Sequence, residues 1–142
     1  PRYGGWSEGM TVLQPADWPR PSGYANGVSA EGVMVFVAGQ IGWNQRREIE
    51  SDDLVDQVRQ ALLNVRAVLA EAGAKPKDIV RMTWYLTDTA DYRARAKEIG
   101  AVFREIVGHY QSAMTAVQVA ALLEERAKVE IEVTAVIARA AR

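Results

Sequence analysis

Between Ser51 and Ala72, the apolar residues Leu54, Val58, Ala61, Leu62, Val65, Val68, Leu69 and Ala72 recur every three or four positions. That spacing lines one face of an α-helix. Ser51 is placed to cap its N-terminus, Asp52 and Asp53 complement the positive end of the dipole, and Gly73 stands where a left-handed C-terminal cap is wanted. A second stripe, Tyr92, Ala96, Ile99, Phe103 and Ile106, predicts another amphipathic helix, with Asp88 or Thr89 as its cap.

The remaining patterns have the period of strands. Val33–Ala38 is a short β-branched run ending at Gly39, which reads as a central strand buried on both faces. Ile79–Leu86 alternates Val80, Met82, Trp84 and Leu86 against Arg81, Thr83 and Tyr85. Trp84 is read as core, with Tyr85 on the other face available to an interface. Two further strands, Thr115–Leu123 and Lys128–Ile137, are separated by a turn at Glu124-Glu125-Arg126, and one short strand is expected around Met10–Leu13. The order is β-β-α-β-α-β-β. An α+β domain follows, with a mixed sheet carrying two helices on one face. Its other face keeps apolar residues, which predicts oligomerisation.

Composition narrows the class. With 142 residues and 49% hydrophobic content the chain fits one domain. Residues 1–26, rich in proline and glycine, read as an N-terminal arm packed on a domain formed by 27–142. Cysteine is absent, which excludes disulfides and thiolate chemistry. The formal charge is -1, without a basic stripe, so no nucleic-acid partner is expected. No apolar run approaches the roughly 20 residues of a membrane span, and a soluble, cytoplasmic protein is expected.

Candidate chemistry is sparse. His109 is the one histidine and has no paired carboxylate at telling spacing, so a solvated or dipole-facing role is preferred over general base catalysis. Glu48, Glu50, Asp52, Asp53 and Asp56 form a solvated acidic face around a helix start rather than a ligand set, and no metal is expected.

Six ordered segments resemble the YjgF/Rid (reactive intermediate deaminase) family. Pro21–Val28 is similar to its GPY-x-x-(A/G)-V opening, and Val35–Ile41 to its F-V-S-G-Q-I strand end. Gln57–Gly73, Ile79–Asp91, Val117–Leu122 and Val129–Glu132 match further family stretches. The resemblance implies a chorismate-mutase-like subunit in a homotrimer, with small-molecule sites at subunit interfaces and no cofactor. It also implies site roles for Tyr24, for the strand end Ala38-Gly39-Gln40, for Thr115, and for Glu130 as the glutamate that helps water attack an imine carbon. Glu130 is read equally well as an ordinary member of an alternating strand; Tyr24 could also be a packed core-edge ring, and the motif around it favours the site role.

Two positions depart from the pattern: Ala38 stands where the family's strand end carries serine, and the departure at Met114 is the weightier. Aligned on Val117–Leu122, Ser112-Ala113-Met114-Thr115 falls on the family's P-A-R-S, so Met114 stands where deaminating members carry the arginine that clamps a carboxylate. Such a charge-assisted pair is worth roughly 1.5–3 kcal/mol, and a thioether cannot replace it. Standard 2-imino acids are therefore expected to bind poorly. Arg81 and Arg126 could return a cation to the site, although surface roles suit both. Two functions remain open: hydrolysis of an atypical imine or enamine, and non-catalytic binding of a metabolite or partner by the same trimer. A ribonuclease role, suggested only by names attached to some relatives, and a chorismate mutase activity both lack the required cationic groups.

Overall fold

In the computed structural model, which describes residues 9–108 and 112–139, the helical stripe after Ser51 forms α1 (Leu54–Glu71). Leu54, Val58, Leu62, Val65 and Leu69 are all buried, each contributing about 1.5–3 kcal/mol of apolar burial. The cap differs from the expected one. Asp53 is the N-cap and accepts from the Asp56 N–H at 3.1 Å. Ser51 instead accepts from the Asp53 N–H and donates to the Asp56 carboxylate, which steadies the entry to the helix. Gly73 takes the left-handed conformation, with φ 72°, that ends it.

A four-stranded mixed sheet is built from β3 (Val33–Ile41), β4 (Ile79–Leu86), β5 (Ala113–Gln118) and β6 (Val129–Ile137). Their spatial order is β3-β6-β4-β5. β6 runs antiparallel to both β3 and β4, whereas β4 and β5 are parallel. The parallel pair requires a crossover, supplied by α2 (Thr89–Ala94) and α3 (Ala96–Ile106). The single second helix expected from sequence is thus two. They meet at Arg95, and Asp88 caps the first by accepting from the Ala90 and Asp91 N–H groups. A separate antiparallel hairpin pairs β1 (Met10–Leu13) with β2 (Gly27–Ala30).

α1 and α3 pack on one face of the sheet, burying Val37, Met82, Trp84, Leu86, Ile131 and Val133 among others. Trp84 is only 1% exposed, as its alternation predicted. Val33–Ala38, in contrast, does not form a central strand. It lies at the sheet edge, paired with β6 alone, and Phe36 is 71% exposed. Its β-branched run misleads because one half of the alternation, Met34 and Phe36, belongs to the face the helices leave open. β5 also stops at Gln118 rather than Leu123.

Buried Gln57 ties the helix to the loops. Its side-chain amide donates to the Ser51 and Arg126 carbonyls and accepts from the Lys128 N–H. Arg126 is held by Asp52 and the Ile49 carbonyl, a structural use that takes it away from any cleft. Among the described residues no helix is long and apolar enough to cross a membrane. His109 lies outside the described residues.

Candidate functional site

Strand register decides which candidate residues share a face. Met114 is opposite Met82, and Ala116 opposite Trp84, so both point toward the helices. Thr115 is opposite Thr83, and Glu130 opposite Tyr85, on the open face. The sequence-predicted site is therefore split by the sheet: Met114 on the helix-covered side, Thr115 and Glu130 on the other.

On the helix side lies a groove of about 930 Å³ between α3 and the edge strand β5. Tyr24 and Met114 both line it. They are brought together because the Ala25 N–H donates to the Ser112 carbonyl at 2.9 Å and Ala25 bridges to Ala113, which fastens the segment before β2 to the start of β5. The floor and wall are aromatic. Trp84 meets Tyr92 edge to face, with centroids 6.1 Å apart, and Phe103 at 6.3 Å. The Trp84 indole N–H is buried and finds no acceptor among the described residues. Burial also raises the Tyr92 phenol above its ordinary pKa. Ile99, Gly100 and Arg104 complete the α3 side.

The open face holds the second half. Gly39 lies under the Glu130 side chain: a Cβ at position 39 would stand 2.8 Å from Glu130 Cδ and 2.9 Å from Cγ. The bulge between Val37 and Gln40 shapes this strand end, where the Gln40 amide donates to the Ala38 carbonyl at 3.1 Å. Ala38 is exposed beside them. Next to Glu130, Tyr85 donates to the Glu132 carboxylate at 3.2 Å. Desolvation, then the Glu132 charge, raises the Tyr85 phenol above its ordinary pKa. Met34 and Phe36 extend the same face as an exposed apolar strip.

Sequence reasoning singled out Tyr24, Met114 and Glu130 but missed what surrounds them. Tyr92 and Phe103 appeared only as a helix stripe, and Arg104 was not considered. The available signal was the four-residue step from Gly100 to Arg104, which places both on one side of α3. Arg81 is exposed on the open face, away from Met114. Among the described residues no group of histidine and acidic side chains is placed to hold a metal ion. The acidic residues near Ser51 instead pair locally, Glu48 with Arg46, Glu50 with Asn44, and Asp52 with Arg126.

The sequence and the fold have clear counterparts. A family model described as Endoribonuclease L-PSP matches residues 19–137. A RutC family protein of Pyrococcus horikoshii is 35% identical over 119 residues, covering 82% of this chain and 90% of its own. TdcF of Escherichia coli, named for a reactive intermediate deaminase activity, is 38% identical over 117 residues, covering 80% and 85%. The TdcF structure with bound serine superposes with a TM-score of 0.66 over 89% of this chain and 98% of that one, at 35% identity. A protein of unknown function of the Rid family, YyfB of Yersinia pestis, reaches a TM-score of 0.81 at 31% identity, over 91% and 99%. The chain belongs to the YjgF/Rid family, as its segments implied.

Proposed function

We propose that this protein is a Rid-type small-molecule protein whose clefts form between copies of the chain in a homotrimer, and that it hydrolyses an imine or enamine unlike the standard 2-imino acids. The observation that carries the reading is the division of the candidate residues. Tyr24 and Met114 line the helix-side groove, while Glu130, Gly39 and Thr115 stand on the opposite face of the same sheet. Within one copy the sheet keeps the halves apart; between copies, the groove edge of one can meet the open face of the next. The exposed Met34 and Phe36 supply apolar surface for that union. Serine bound to TdcF supports a small metabolite as the kind of ligand.

In such a cleft the groove walls position the substrate, and Glu130 accepts a proton from water as its oxygen attacks the imine carbon. That proton passes to the nitrogen, giving a carbinolamine; the carbinolamine hydroxyl proton then moves through Glu130 to the nitrogen as the C–N bond breaks, the C=O bond forms and ammonia or an amine leaves. Met114 contributes apolar contact and no charge, so the substrate is not gripped there by its carboxylate. The same residue favours a second reading, a trimer that binds a metabolite or partner without turning it over.

Amine or ammonia release from freshly generated imines, with and without a carboxylate, separates the two. Catalysis by the wild type that Glu130→Ala reduces by about 10²-fold or more supports hydrolysis, in line with the usual contribution of a general base. Ligand binding without turnover, unchanged by Glu130→Ala, supports the second reading.

A further inference from the structure

Gly100 occupies the interior of α3, where glycine costs roughly 0.5–1 kcal/mol relative to alanine. It lines the groove, and the nearest side-chain atom that a Cβ there would meet is Arg104 Nη1, at 3.3 Å. The guanidinium thus lies back over the bare helix surface at the groove wall. No ion pair holds Arg104 among the described residues, whereas Arg59, Arg95 and Arg126 are each paired with carboxylates. A local rule broken at Gly100, beside a cation with no ion pair among the described residues and an aromatic floor, marks a place kept open for a ligand.

We propose that this groove binds a carboxylic acid with an aromatic or branched apolar body, its carboxylate held by Arg104 and its body lying against Trp84, Tyr92 and Phe103. This rests on the reading of the groove as the ligand cleft. The anchoring cation enters from α3 instead of from position 114, so the ligand lies with its charge toward the helix. A groove of about 930 Å³ has room for a molecule of this class.

Calorimetric titration of the full chain with 3-phenylpropanoate and with its uncharged amide tests this, using wild type, Arg104→Gln and Gly100→Leu. The wild type is expected to bind the acid at least about tenfold more tightly than the amide, the effect of one charge-assisted contact. Arg104→Gln should bring the acid down to the amide's level, and Gly100→Leu, which fills the groove and improves helix propensity, should abolish binding of both. If acid and amide bind the wild type alike, or the acid's advantage survives Arg104→Gln, the Arg104 anchor is wrong even though loss of binding in Gly100→Leu would keep the groove as the cleft. If neither probe binds the wild type, or Gly100→Leu binds like wild type, the cleft reading fails together with the proposal.

Discussion

The Glu130 side chain occupies the space that any side chain at Gly39 would need, with Cδ 2.8 Å and Cγ 2.9 Å from where a Cβ would be. The strand end and the carboxylate are therefore a single unit: glycine at 39 permits the position of Glu130 across the sheet.

Gly39→Ala should displace the Glu130 carboxylate and mimic Glu130→Ala in activity or ligand binding. In the Glu130→Ala background the three atoms that stand nearest to such a Cβ, Glu130 Cγ, Cδ and Oε2, are gone. A double-mutant cycle on thermal unfolding should thus show a coupling of at least about 0.5 kcal/mol, and additive effects would refute the contact.

Gln57 satisfies two carbonyls and one N–H from three separate segments while itself 1% exposed. Gln57→Leu keeps the volume but leaves those groups without partners, and should destabilise by at least about 1–3 kcal/mol in urea unfolding. Neutral behaviour would mean that the loops re-pair without it.

Arg95 joins the N-cap of α1 to α3. It holds the Asp53 carboxyl below its ordinary pKa, helped by the Asp56 N–H, and lowers Glu98 as well. A carboxylate with a lowered folded-state pKa stabilises at pH above its unfolded value, and that stability is lost as pH falls through the folded value. Wild type should therefore exceed Arg95→Met in urea midpoint at neutral pH, and the difference should shrink below about pH 4. A difference independent of pH would assign the effect of Arg95 to packing.

The helices, β4 and β6 were legible because each has one wet and one dry face, so period alone revealed them. Trp84 followed from the same alternation. The edge position of β3 was not legible, since exposed Met34 and Phe36 on the open face look, in sequence, like a second buried face. The break at Arg95 was hidden for a similar reason: Tyr92, Ala96 and Ile99 keep helical spacing across it. Motif wording located Tyr24, Gly39, Met114 and Glu130. Only the register of β4, β5 and β6 shows that Met114 and Glu130 lie on opposite faces, and Arg104 was signalled only by its four-residue step from Gly100.

That division makes assembly the central issue. The most direct measurement is the molar mass in solution, by light scattering after size exclusion, of wild type and Phe36→Asp. Wild type should be about three times the 15.6 kDa chain mass, and a charge at the exposed Phe36 should give folded monomers that lose ligand binding with the assembly. A wild type that stays a folded monomer, or a monomeric Phe36→Asp that binds or turns over ligand undiminished, would contradict a site shared between copies.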